Sequence, residues 1–171
     1  MNHEKLVKLT MSAVMTALVF VATYLIQIPM PATGGYVNLG DCMVLLSGFL
    51  LGPSWGFAAG GLGSMLTDVI LGYGSFAPGT FFIKGLMALA AALIFKALRN
   101  KTKLAALLGG IAAELIMVFG YFAYEALILG FGVAAAASIP GNAIQALVGL
   151  AAGVLVYHAL SAVPAIKKLG Y

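Results

Sequence analysis

The stretch KLVKLTMSAVMTALVFVATYLIQI, residues 5–28, decides the class of this protein. After Lys8 it continues for 20 residues without a charged side chain. A transmembrane helix needs about 20 consecutive, mostly apolar residues to cross the hydrocarbon core of a bilayer. The stretch is too long for the core of a signal peptide and contains no small-residue cleavage site, so we interpret it as a retained first span.

The composition of the whole chain agrees with a membrane protein. Of its 171 residues, 63% are hydrophobic and only 8% are charged, and the mean hydropathy is +1.08. A soluble domain of this length cannot cover its surface with so few polar residues. The chain is therefore expected to form a single membrane domain, residues 1–171. Its one cysteine, Cys42, indicates little about the cellular compartment.

Further apolar segments follow the first, separated by turn residues rich in proline and glycine. They lie at residues 39–51, 54–71, 80–98, 104–129 and 140–163. The segment at 39–51 is short for a bilayer at about 1.5 Å per helical residue, so it is expected to be tilted, broken or shielded by protein. The sequence predicts an all-α fold, a bundle of six transmembrane helices.

The basic residues predict the orientation of this bundle. They are Lys5, Lys8, Lys96, Arg99, Lys101, Lys103, Lys167 and Lys168. With six spans these residues all fall on one side of the membrane, which the positive-inside rule assigns to the cytoplasm. Both termini are therefore predicted to be cytoplasmic, in a multi-pass protein of the bacterial plasma membrane. The net charge of +4 is explained by topology, with phosphate binding as a weaker alternative and no role in nucleic-acid binding.

Five ionisable residues remain within the predicted spans: Asp41, Asp68, Lys84, Glu114 and Glu125. Each costs at least about 2.5–3.5 kcal/mol to insert, so a membrane protein rarely keeps one without a partner or a function. All but Glu114 are predicted to lie in the outer half of the membrane. A purely architectural pair between Asp68 and Lys84 is one alternative. Even then, the acids outnumber the lysine, which favours a ligand that donates hydrogen bonds.

The polar loop PATGGYVNLGDCM, residues 31–43, is predicted to lie directly above these charges. Gly34 and Gly35 permit unusual backbone angles, as a flexible lid would require. Asn142 and Gln145 lie one helical turn apart and so share a face of the last span. Glycines, aromatic residues and carboxylates together predict a pocket for a small, flat, polar molecule.

The sequence contains no motif for ATP hydrolysis or metal catalysis. It lacks both the phosphate-binding pattern GxxxxGK[ST] and the zinc-binding pattern HExxH. No histidine is predicted at the depth where it might activate a serine. We therefore expect a protein that is not an enzyme and that holds no cofactor or metal.

Three stretches resemble the substrate-binding S components of energy-coupling-factor (ECF) vitamin transporters: TGGYVNLGD at 33–41, GPSWGFAAGGLGSMLTD at 52–68 and GSFAPGTFFIKG at 74–85. The resemblance is greatest to the branch assigned to hydroxymethylpyrimidine, vitamin B6 compounds or queuosine precursors. It implies a binding subunit that captures a micronutrient outside the cell and docks on a membrane T subunit with two ATPase subunits. The family's AxxxA pattern on the first helix, which contacts the T subunit, matches Ala13 and Ala17.

The same resemblance implies a pocket lined by the first outer loop and by spans four to six. The candidate substrate-binding residues are Tyr36, Asn38, Phe76, Lys84, Tyr121, Glu125, Asn142 and Gln145, with Asp41 ranked below them. We expect a pyridine or pyrimidine that carries hydroxymethyl or aminomethyl groups, with a deazaguanine precursor as the next candidate. A different class of function, a self-sufficient secondary transporter with a charge relay through Asp68, Lys84 and Glu125, stays open.

Overall fold

A computed structural model describes residues 3–163 and shows a mostly helical protein over that range. Its elements are α1 (His3–Leu25), β1 (Gln27–Met30), β2 (Gly35–Asn38), α2 (Gly40–Leu51), α3 (Pro53–Leu71), α4 (Ala77–Leu98), α5 (Ala105–Leu127), a 3₁₀ helix (Gly132–Ser138) and α6 (Ile139–Ser161). The predicted basic residues Lys167 and Lys168 lie outside the described range.

Each predicted apolar segment contains a helix, and local chemistry sets several helix ends. Pro53, Pro78 and Pro140 occupy the first or second position of α3, α4 and α6, where a missing N–H removes no helical hydrogen bond. Gly72, with φ of 84°, ends α3 in the left-handed conformation that glycine adopts most readily.

Within residues 3–163, four helical segments are long and apolar enough to cross a membrane: Lys5–Leu25, Ala77–Leu98, Ala105–Leu127 and Gly132–Ser161. The apolar helix α2, with 12 residues, rises about 18 Å and falls short of the roughly 30 Å hydrocarbon core. The sequence had therefore correctly indicated that the second segment is too short to cross the bilayer as a straight helix. Six complete spans and cytoplasmic termini stay predictions.

The first connection is a β-hairpin, so the expectation of an all-α fold is corrected to mostly helical. Strands β1 and β2 are antiparallel, with Gln27 opposite Asn38 and Met30 opposite Gly35. The turn between them includes Gly34 at φ of 68°. The first helix ends at Leu25, three residues before its predicted end. Pro29 and Pro31 follow closely, and proline disfavours helix both at its own position and at the residue before it.

Helix α2 packs against all five other α-helices, and α4 packs against α2, α3 and α5. Fully buried apolar side chains, among them Val44, Leu45 and Met87, form the core. Gly56 allows α3 to approach α2 closely, because a Cβ atom there would lie 2.9 Å from the Cα of Gly48. This packing brings the polar ends of the helices together beneath the hairpin.

Candidate ligand-binding site

A cavity lies beneath the hairpin and encloses about 420 Å³ of atom-free space, including its open mouth. Its lining residues are Thr23, Met30, Gly35, Tyr36, Asn38, Ser64, Asp68, Phe76, Thr80, Lys84, Tyr121, Glu125, Asn142 and Gln145. The structure thus brings the eight higher-ranked candidates to one cavity, but Asp41 does not line it. Their role as ligand contacts stays a prediction.

Several lining residues occur in pairs four positions apart, which places both side chains on one helix face. The pairs are Ser64 with Asp68 on α3, Thr80 with Lys84 on α4, and Tyr121 with Glu125 on α5. Ser64 and Thr80 were not predicted as site residues. The i,i+4 spacing to an ionisable partner is the sequence signal that would have identified them.

Lys84 pairs with Asp41, so the predicted alternative of an Asp68–Lys84 pair is wrong. The Lys84 ammonium donates to Asp41 Oδ1, and both side chains are buried. Lys84 also lies 5.4 Å from the centroid of the Tyr121 ring, within the range of a cation–π contact. The charge of this lysine is therefore balanced within the protein.

Gln145 extends this ion pair to the hairpin. Its Nε2 donates to Asp41 Oδ2 at 2.7 Å, and its Oε1 accepts a hydrogen bond from the backbone N–H of Asn38, also at 2.7 Å. The side-chain oxygen of Asn38 in turn accepts from the N–H of Gly40 at 2.8 Å. One hydrogen-bonded network thereby joins the start of α2, the helices α4 and α6, and the end of β2.

Tyr36 attaches the other side of the hairpin to α3. Its hydroxyl donates to Asp68 Oδ1 at 2.6 Å, and its ring lies 4.7 Å from that of Tyr73. Burial, and secondly the neighbouring Asp68 carboxylate, raise the pKa of Tyr36, so its hydroxyl remains a donor. Below it, the hydroxyls of Thr80 and Tyr121 lie 3.0 Å apart.

Four buried polar atoms of the lining residues have no hydrogen-bond partner within the described part of the chain. They are Ser64 Oγ, Asp68 Oδ2, Glu125 Oε2 and Asn142 Nδ2. A buried polar atom left without a partner costs about 1–3 kcal/mol. The cavity therefore offers two carboxylate acceptors, one amide donor and one hydroxyl to a molecule that enters it.

Glu114 is buried but does not line the cavity, and neither of its carboxyl oxygens has a hydrogen-bond partner among residues 3–163. It lies beside Asp41 next to Gly149. A Cβ atom on Gly149 would be 2.7 Å from Asp41 Cβ and 3.0 Å from Glu114 Oε1. Over the same range, no group of three or more His, Cys, Asp or Glu residues is placed to hold a metal ion.

Ala13 and Ala17 lie on an exposed face of α1, beside the large apolar residues Val14 and Leu18. Exposed apolar side chains on a membrane helix can face lipid or another membrane protein. The contact of these alanines with a T subunit stays a prediction.

Comparison with known proteins identifies the family. The model of the ECF-type riboflavin transporter S component matches residues 3–162. The chain belongs to the S components of ECF transporters. These are multi-pass membrane proteins that bind the substrate of a transporter and are not enzymes, as the sequence predicted.

Two relatives and one solved structure extend this finding. An uncharacterised protein from the gap 3′ region of Pyrococcus woesei is 39% identical over 135 residues, 79% of this chain and 88% of the relative. The thiamine precursor transporter HmpT of Lactococcus lactis is 31% identical over 150 residues, 87% of this chain and 84% of that protein. A structure described as the S component of a bacterial ECF transporter matches with a TM-score of 0.68 at 21% identity, covering 92% of this chain and 96% of the other, which shows a shared fold.

Proposed function

We propose that this S component captures a small, nitrogen-containing aromatic nutrient, with hydroxymethylpyrimidine as the first candidate, and delivers it into the cell when docked on an ECF module. The observation that carries the proposal is the cavity beneath the hairpin, with its four unpartnered polar atoms. Buried polar atoms need partners, and a ligand with both donors and acceptors would supply them.

The charges around the cavity favour a neutral or cationic ligand. Lys84 is balanced by Asp41, which leaves the carboxylates of Asp68 and Glu125 to dominate the local field. A carboxylate vitamin would meet charge of its own sign there. N–H and O–H groups on the ligand would instead satisfy the free carboxylate oxygens, and Asn142 could donate to a ring nitrogen.

The cavity also suits a single aromatic ring. Tyr36, Phe76 and Tyr121 all line it and offer apolar ring surface to a flat ligand.

The name of one relative guides the choice among one-ring ligands. HmpT of Lactococcus lactis is a thiamine precursor transporter, which favours a pyrimidine over the vitamin B6 compounds and queuosine precursors that were also considered. Neither alternative appears in the names of the two relatives described above.

The energy for transport would come from partner proteins. The sequence has no GxxxxGK[ST] motif, so we assign ATP hydrolysis to two ATPase subunits and docking to a membrane T subunit. The exposed Ala13 and Ala17 face of α1 is the proposed contact with the T subunit. Capture would occur on the outer side, where the hairpin covers the cavity, with both termini in the cytoplasm.

A self-sufficient transporter with a charge relay is the competing function. The pairing of Lys84 with Asp41 weakens it, because the lysine is removed from the proposed relay between Asp68 and Glu125. Uptake assays separate the two functions. We expect labelled hydroxymethylpyrimidine to enter cells only when this chain is co-expressed with an ECF module, whereas proton-driven uptake by the chain alone in proteoliposomes would contradict the proposal.

Binding assays test the cavity itself. Glu125→Gln and Asn142→Ala should each weaken binding of hydroxymethylpyrimidine at least tenfold, a loss of about 1.4 kcal/mol or more. Asn100→Ala is the control, because Asn100 is exposed in the turn after α4, at the opposite end of that helix from the cavity. Unchanged affinity in both cavity variants would remove these residues from the site.

A further inference from the structure

Asp68 contributes an unpartnered carboxylate oxygen to the cavity. Its side chain is 3% exposed and lines the cavity from α3. One carboxylate oxygen, Oδ1, accepts the Tyr36 hydroxyl at 2.6 Å, while Oδ2 is buried without a hydrogen-bond partner within residues 3–163. The sequence had suggested two roles for Asp68, an architectural pair with Lys84 or a place in a charge relay, and the structure pairs Lys84 with Asp41 instead.

Because Lys84 pairs with Asp41, it does not donate a hydrogen bond to Asp68. Lys84 is the basic side chain of the described cavity lining, and its ammonium binds Asp41. A carboxylate that is taken out of water needs several hydrogen bonds to offset its desolvation. The hydroxyl of Tyr36 supplies one of these, and the Thr80 hydroxyl lies nearby, within hydrogen-bond distance of the Tyr121 hydroxyl. Because Oδ2 still has no hydrogen-bond partner within residues 3–163, a donor on the ligand can supply the next.

Asp68 and Glu125 lie on different sides of the cavity. Asp68 belongs to α3 and Glu125 to α5, and α4 packs against both of these helices. Each residue presents one unpartnered carboxylate oxygen. We propose that Asp68 is a second acidic ligand contact, so that the ligand gives one hydrogen-bond donor to Asp68 Oδ2 and a separate one to Glu125 Oε2.

This inference rests on the proposed function, in that it takes the cavity as the ligand site, and it narrows the ligand class. The ligand must carry donors at two separate positions, as an amino group and a hydroxymethyl group on one ring do. A phosphate ester or a carboxylate in place of either donor would bring negative charge against a buried carboxylate. The free alcohol is therefore the form that is bound.

A cycle of ligand analogues and variants tests the contact on the purified full-length protein. The probes are 4-amino-5-hydroxymethyl-2-methylpyrimidine, its analogue without the amino group and its analogue with methyl in place of hydroxymethyl. In the wild type, loss of either donor should weaken binding at least tenfold. In Asp68→Asn, removing one of the two donors from the probe should weaken binding by about twofold or less, because the acceptor of that donor is already gone. In Glu125→Gln the same should hold for the other donor.

Two outcomes overturn the inference. One is that Asp68→Asn binds all three probes as the wild type does. The other is that it weakens all three by the same factor, which is the signature of a residue that only positions Tyr36. Asp68→Ala repeats the cycle without an amide that can rotate. Asn100→Ala, the control, should keep wild-type affinities within about twofold.

Failure of the proposed ligand gives a different result. If the wild type binds none of the three probes, the pyrimidine assignment is wrong, and the contact is judged on the molecule that co-purifies with the protein from cells. Native mass spectrometry should then show that molecule on the wild type and on Asn100→Ala, and its loss from Asp68→Asn. Its retention by Asp68→Asn would overturn the inference.

Discussion

The ion pair between Lys84 and Asp41 gives the most quantitative prediction. Asp41→Asn keeps the size of the side chain and an oxygen for Gln145, but it removes the negative charge that balances a lysine buried to 1% exposure. Breaking a buried pair by removing one partner costs about 3–5 kcal/mol, because the remaining charge is left uncompensated.

Thermal unfolding of the purified, ligand-free protein measures this loss. For a protein of this size, 1 kcal/mol corresponds to about 2–4 °C, so Asp41→Asn should lower Tm by about 6–20 °C. Lys84→Met combined with Asp41→Asn removes both charges, and replacing a whole buried pair is often neutral. The double variant should therefore recover most of the lost stability.

Glu114 provides the control for this experiment. It lies beside Asp41 and within electrostatic range of Lys84, so it is the candidate to replace Asp41 as counter-ion. Asp41→Asn should therefore destabilise the Glu114→Gln background at least as much as the wild type. The reasoning is refuted if Asp41→Asn leaves Tm unchanged in both backgrounds, or if the double charge removal is no more stable than Asp41→Asn.

Two further predictions concern packing and docking. Gly149→Ala should lower stability by about 1–3 kcal/mol, because its Cβ would lie 2.7 Å from Asp41 Cβ, whereas Gly74→Ala, with nothing within 4 Å, should leave Tm unchanged; equal Tm values for the two would contradict the packing. Ala13→Trp should spare ligand binding, since Ala13 is exposed, but abolish coupled uptake; co-purification of an intact complex with the T subunit would place the contact elsewhere.

Much of the helical framework was predictable from the sequence. Long apolar segments broken by proline and glycine indicate membrane helices by length alone, and each predicted segment contains one. The hairpin was not predicted, because its strands have four residues each and are stabilised by contacts distant in sequence, such as Asn38 with Gln145. Strands this short carry little periodic signal.

The clustering of Asp41, Asp68 and Lys84 was predictable from the sequence, but their pairing was not. The predicted topology places all three in the same half of the membrane, where either acid could reach the lysine. The packing of α2 against α4 brings Asp41 to Lys84, whereas Asp68 accepts a hydrogen bond from Tyr36 on the hairpin. Both contacts join residues more than 30 positions apart, which a single sequence does not specify.

Equilibrium binding of hydroxymethylpyrimidine to the purified protein tests the central claim most directly. The account predicts saturable binding of one molecule per chain, weakened at least tenfold by Glu125→Gln and unchanged by Asn100→Ala. Wild-type affinity in Glu125→Gln, or the absence of both binding and any co-purified small molecule in the wild type, would contradict the claim that this cavity captures the nutrient.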